Sequence, residues 1–241
     1  MNVRQKGAKG AKEMKKRILF SFAHPDDETF TVGGLLASLA KRDDVETIVY
    51  SATPGDAGKC GNPPVCTKEQ LPQVRKKELE QAANILGVDH LIIGTYPDGK
   101  LSEYEEPLVR DICHIIERYK PTVVVTFPPH GISGHRDHQA IQRATYRAVT
   151  AMDHIVEQLY YVTVVGRPDR FGDPIENIDI IFTFTEEEAK KVRQALLAHR
   201  TQHLSVERVF PSVHNESFHK FQNREYFIRA WSKENHLSYP F

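Results

Sequence analysis

The chain has 241 residues, 40% apolar and 27% charged, and its 32 basic and 32 acidic side chains leave no net charge. That is enough chain to bury a full core, and the even charge gives no reason to expect nucleic acid as a partner. No apolar stretch approaches the ~20 residues of a membrane span, no apolar run near the N-terminus reads as a secretory signal, and three cysteines argue for a reducing cytoplasm rather than a disulfide framework.

Residues 1–16 are rich in Lys, Arg, Gly and Ala with one acid, Glu13, and read as a flexible, solvated basic tail. A strand is expected over 17–23 and a helix over 28–41, where Gly33 and Gly34 would allow close packing on the sheet. No GxGxxG is present. A second strand over 46–52 leads into a Gly- and Pro-rich loop over 53–66, long enough to suggest a working segment. The periodicity predicts a helix over 70–86, stopped by Gly87. A short strand over 91–93, a turn over 96–99 and a helix over 107–119 follow, with Leu108, Ile112, Ile115 and Ile116 on one face. Residues 122–127 (Thr-Val-Val-Val-Thr-Phe) form the strongest strand signal, apolar enough for burial on both faces. A helix over 137–152 and strands over 159–165 and 178–184 come next. Thr185 caps a helix running to 197, and 225–231 is a last strand.

Alternating strands and helices imply an α/β fold, a Rossmann-like three-layer sandwich with a mostly parallel sheet. A single domain is expected over 17–241, with the last third capping the site. In a doubly wound order 3-2-1-4-5, strands 1 and 4 are neighbours. The crevice at their carboxyl ends is then the place for an active site.

Two polar clusters fall at those ends. After strand 1 stands His24-Pro25-Asp26-Asp27-Glu28; after strand 4 stands Gly134-His135-Arg136-Asp137-His138. So many carboxylates and imidazoles are costly to bury without a cation. A catalytic zinc takes three protein ligands and leaves one position open. His24 and Asp27, three apart, supply two on one side of a turn, and His138 is the natural third. Asp26 should point elsewhere, free to take a proton from water whose pKa zinc lowers toward ~7. His135 would stay off the metal to stabilise an oxyanion or protonate a leaving amine. Asp137 would orient a histidine. The ligand set accepts Fe2+ as well as Zn2+.

These paired motifs resemble the zinc-dependent de-N-acetylases related to the N-acetylglucosaminyl-phosphatidylinositol de-N-acetylase (LmbE-like, or PIG-L, proteins). The resemblance covers most of the chain. It implies His24, Asp27 and His138 as zinc ligands, Asp26 as general base and His135 as oxyanion partner. Further stretches are similar to one branch, the second type of bacillithiol-biosynthesis deacetylase. They include Gly55-Asp56-Ala57-Gly58-Lys59, Arg75-Lys76-Lys77-Glu78-Leu79, Ala198-His199-Arg200-Thr201-Gln202 and Tyr239-Pro240-Phe241. That likeness implies N-acetylglucosaminyl malate, a small amino-sugar conjugate, as substrate, and a homo-oligomer, trimer or hexamer. It places Arg75 near the substrate and gives Asp98 hydrogen bonds to sugar hydroxyls. Asp56 stands where relatives often have Glu, and Cys60 and Cys66 are additions; both bear on the substrate. Two rival readings are a two-metal phosphoesterase and a non-catalytic metal- or nucleotide-binding module.

Overall fold

The computed structural model describes residues 15–165, 177–233 and 239–241; of the basic segment 1–16, only Lys15 and Lys16 are among them. β1 (Lys16–Phe22) runs through the sheet interior, its residues 18–22 all buried. It pairs in parallel with β2 (Val45–Ser51) on one side and β4 (Val123–Thr126) on the other. β3 (His90–Ile93) continues beyond β2 and β5 (Gln158–Thr163) beyond β4, again in parallel. The expected order 3-2-1-4-5 is present. Two further strands extend it: β7 (Arg224–Ser232) lies antiparallel to β5, and β6 (Ile180–Thr183) lies antiparallel to β7 at the edge. Two strands of the last third are therefore built into the sheet.

Right-handed crossovers put successive helices on opposite faces once the strand order reverses. α1 (Asp27–Leu39), α2 (Leu71–Leu86) and α6 (Glu186–Ala198) pack together on one face, while α3 (Glu105–Tyr119) and α5 (Arg136–Ala151) pack on the other. Shorter helices are α4 (Gly131–Gly134), α7 (His203–Val209) and α8 (Phe218–Phe221). No helix among the described residues is long and apolar enough to cross a membrane.

The helix ends follow from their residues. Gly87 closes α2 in the left-handed conformation, and Thr185 with Glu188 makes a reciprocal capping box at the start of α6. α1 is broken at Val32, which leaves helical geometry. The peptide N–H groups of Gly34 and Leu35, just past the break, donate to the Glu225 carboxylate of β7 at 2.6 and 2.9 Å. Gly34 is pressed so closely on Phe184 that a Cβ would lie 2.2 Å from its ring, and Gly33 faces Val192 of α6. The close approach expected of these glycines is there, but toward the end of β6 and toward α6.

Glu225 has a measurable consequence. Burial pushes its carboxyl up to about 8, the two peptide donors pull the other way, and Glu188 of α6 adds repulsion. An acid whose folded pKa is raised binds more protons folded than unfolded, so stability falls as pH rises from about 4.5 to about 8. Residual solvent contact and the two donors limit the loss to on the order of 1–3 kcal/mol. Urea unfolding of wild type against Glu225→Gln should show a difference that shrinks or reverses between pH 5 and pH 8. A difference that stays flat across that range would mean the charged form is fully accommodated.

Candidate active site

The strand ends β1 and β4 bring the two polar clusters together. His24 and Asp27 are buried at the start of α1; His138 lies one turn into α5, its ring stacked on Phe127 at 4.0 Å. His138 Nε2 is 3.3 Å from His24 Nδ1 and 3.3 Å from Asp27 Oδ1, and His24 Nδ1 is 3.5 Å from Asp27 Oδ2.

Partner chemistry assigns the tautomers. His138 Nδ1 donates to the Gly131 carbonyl at 3.0 Å, which leaves Nε2 as a lone pair. His24 Nε2 faces Asp98 Oδ1 at 3.1 Å and Asp137 Oδ2 at 3.2 Å, so in the neutral ring it carries the proton and Nδ1 is the lone pair. With both rings neutral, two nitrogen lone pairs and a carboxylate would face one another, an arrangement that calls for positive charge among the three, either a bound cation or a proton on the His24 ring. Bonds of ~2.0–2.1 Å in tetrahedral geometry separate ligand atoms by ~3.3–3.4 Å. The donor set fits zinc or iron. Asp27 Oδ2 is further held by the Ala23 and His24 peptide N–H groups at 3.1 and 2.8 Å.

The charges agree. Burial alone would lower the His24 pKa, but Asp137, Asp27 and Asp98 raise it well above its ordinary value. Burial would raise Asp27, yet the His138 and His24 rings hold it well below the carboxylate range. The surroundings favour positive charge at this point.

Asp26 sits beside the cluster, not in it. Its backbone takes a positive φ of 124°, rare for a residue with a side chain and worth roughly 1–3 kcal/mol of strain. Arg75 Nη2 lies 3.2 Å from Asp26 Oδ2. Burial raises the Asp26 carboxyl to about 6, against the pull of Arg75 and with the charge of Asp27 adding to the rise.

His135 is exposed at the mouth and ring-to-ring with His24 and His138 at 4.7 and 4.9 Å. Its Nδ1 accepts the Asp137 peptide N–H at 3.2 Å, capping α5, so the neutral ring carries its proton on Nε2. Burial and the nearby His24 and His138 lower its pKa. It is thus a neutral donor rather than a cation.

Asp137 is fully buried and accepts from Gly99 N, Leu101 N and His24 Nε2, so the histidine it orients is His24. Asp98 also faces His24 and accepts from Ala57 N at 3.2 Å. Besides the group of His24, His135 and His138, His24 with Asp98 and Asp137 makes another convergent group. Its carboxylates are occupied by peptide donors and the His24 Nε2 proton, so it is a hydrogen-bond cluster and not a second cation site. Arg75 is buried, donating to the Pro25 carbonyl at 2.5 Å and to the Gly55 carbonyl at 3.1 Å. Gly55, at φ 71°, lies so near that a Cβ would meet the guanidinium at 2.3 Å. Both residues assigned to substrate by resemblance are therefore built into the walls.

The structure adds two residues. Glu28 accepts the Asp26 peptide N–H, and His199, at the end of α6, reaches Glu28 Oε1 at 3.4 Å. Glu28 was visible only as a member of a dense motif, and His199 only as part of His-Arg-Thr-Gln.

The family described as PIG-L: GlcNAc-PI de-N-acetylase matches residues 19–149, over half the chain and all of both clusters. This chain belongs to that family. A Bacillus anthracis protein named "Probable N-acetyl-alpha-D-glucosaminyl L-malate deacetylase 2" is 33% identical over 193 residues, covering 78% of this chain and 82% of the relative. A Bacillus subtilis protein of the same name is 31% identical over 226 residues, 92% of this chain and 96% of its own length. Among solved structures, N,N'-diacetylchitobiose deacetylase from Pyrococcus horikoshii superposes with a TM-score of 0.66 at 21% identity, over 89% of this chain and 83% of that one. At that identity the likeness speaks for the fold.

Proposed function

We propose that this chain is a metal-dependent hydrolase that removes acetate from an N-acetylglucosamine conjugate, and that the conjugate is N-acetylglucosaminyl malate. The observation that carries the reading is the convergence of His24 Nδ1, Asp27 and His138 Nε2 within 3.5 Å of one another, with the Asp26 carboxylate at their side. His24, Asp27 and His138 would hold the ion, zinc by preference. A bound zinc polarises a carbonyl and makes water acidic enough to attack at neutral pH.

The chain's own groups complete the chemistry. Asp26 takes a proton from the attacking water as its oxygen bonds to the acetamide carbon. His135 offers Nε2–H to the oxygen that becomes negative. As the C–N bond breaks, the proton held by Asp26 passes to the nitrogen, and acetate and a free amine result. Asp137 and Asp98 keep His24 in the tautomer its role needs. Malate as aglycone rests on the names of the two Bacillus relatives and on the shared length. Free thiols at Cys60, Cys66 and Cys113 fit a reducing compartment such as the cytoplasm.

An acetate-release panel tests the reading: N-acetylglucosaminyl malate, N-acetylglucosaminyl inositol and free N-acetylglucosamine, each with the zinc-loaded protein. Fastest release is expected from the malate conjugate. Faster release from the inositol conjugate would overturn the aglycone, and no acetate from any of the three would overturn the deacetylase.

A further inference from the structure

We infer that Glu28 and His199 are positioning residues, a buried pair that holds Asp26 in the strained backbone conformation from which its carboxylate can work. The inference rests on the reading of Asp26 as the base and goes beyond it.

A residue with a side chain leaves positive φ unless its neighbours over-determine it. Here the peptides on both sides of Asp26 are gripped. Its own N–H donates to Glu28 Oε2 at 3.2 Å, its carbonyl accepts from Phe30 N at 2.9 Å, and the Pro25 carbonyl accepts from Arg75. Phe30 adds an ordinary helical bond, and Arg75 also pairs with the Asp26 carboxylate. Among the described residues Glu28 alone holds the Asp26 N–H, and it must be held in turn.

Glu28 is 1% exposed, and its other oxygen accepts the Thr29 hydroxyl. His199, also 1% exposed, places Nε2 3.4 Å from that oxygen and 3.2 Å from Thr29 Oγ1. His199 Nδ1 has no hydrogen-bond partner among the described residues, so the ring's polar contacts are directed at this pair. The ring is itself anchored: two residues on, Thr201 donates its N–H and hydroxyl to Glu78 of α2 at 2.9 and 2.6 Å. A chain of contacts therefore runs from α2 through the turn after α6 and Glu28 to the Asp26 peptide. A plain helix-dipole role for Glu28 would explain an acid in the first turn of α1, but not a buried imidazole brought to it and to Thr29, 170 residues before that imidazole.

The test is a mutant cycle on the zinc-loaded protein, with acetate release, metal content and thermal unfolding measured together. His199→Ala should lower kcat by about 10²-fold, the cost of a misplaced catalytic group, with zinc content near that of wild type. KM should move less than about threefold, because substrate binding is not what is lost. His199→Gln, whose amide reaches the Nε2 position, should recover most of the rate. His199→Asn, whose amide stops at the Nδ1 position, should not, and it replaces the Ala variant if that fails to fold. In an Asp26→Asn background, His199→Ala should cost nothing further. A wild-type kcat in His199→Ala beside a crippled Asp26→Asn would overturn the inference. So would equal rates for the Gln and Asn variants, or an additive loss in the double variant. A fully active Asp26→Asn would instead remove the base assignment, whatever His199 does.

Discussion

Asp26→Asn should keep its zinc and lose turnover by about 10²–10⁴-fold, the range a positioned general base contributes. Asparagine has the shape of aspartate and still accepts a hydrogen bond, so the Arg75 contact and the surrounding turn survive in neutral form. What it cannot do is take a proton. Metal retention is expected because the three converging donors are His24, Asp27 and His138, whose mutual separations do not involve Asp26. KM should change little, so the loss should fall on kcat. Elemental analysis and steady-state acetate release decide it together. Full activity with a full complement of zinc would place the base elsewhere, and His135 would be the next group to examine.

His138→Ala should abolish metal binding at stoichiometric zinc, and activity with it. Even an outer partner of a ligand is worth about 10–100-fold in metal affinity, so removal of one ligand of three should exceed that. The variant should still fold. The ring stacks on Phe127 and bonds the Gly131 carbonyl, and its loss leaves a gap at the site's edge, not in the core. It would also leave His24 Nδ1 and Asp27 facing each other with nothing to reconcile them but a proton on the ring. The apo protein should therefore become more tolerant of the missing ion than wild type. Zinc content equal to wild type would exclude His138 from the ligand set.

Much of this architecture can be read from local pattern. The apolar run at residues 18–22 is what a strand covered on both faces requires, and Gly87 and Thr185 mark helix ends by chemistry that acts within a few residues. The meeting of two motifs more than 100 residues apart followed from the parallel order, because right-handed crossovers leave few alternatives. The placement of β7 between β5 and β6 did not. Antiparallel pairing between distant segments leaves no local trace, and β6 alternates half-buried and exposed positions like many edge strands.

The same limit applies within the site. His24, Asp27 and His138 converge because they stand at the ends of adjacent strands, where chain order predicts position. Arg75 and Asp98 belong to other elements, and a sequence does not state which way a long side chain turns. Arg75 turns inward to two carbonyls and Asp26, and Asp98 turns to His24. His199 is the extreme case. An imidazole after a helix reads as a helix-end residue or a substrate contact until the turn that carries it is seen folded against Glu28.

The contact between His199 and Glu28 also bears on synthesis. The motif at residues 24–28 is made well before the residues it converges with, His138 and His199. Contacts so far apart in sequence raise the contact order, which slows folding. Until those two histidines are made, the stretch carries a concentrated group of acids with His24 as its one histidine. On the proposed ligand set, the complete site exists only once His138 has been made and folded against His24, so metal loading would follow the synthesis of both motifs.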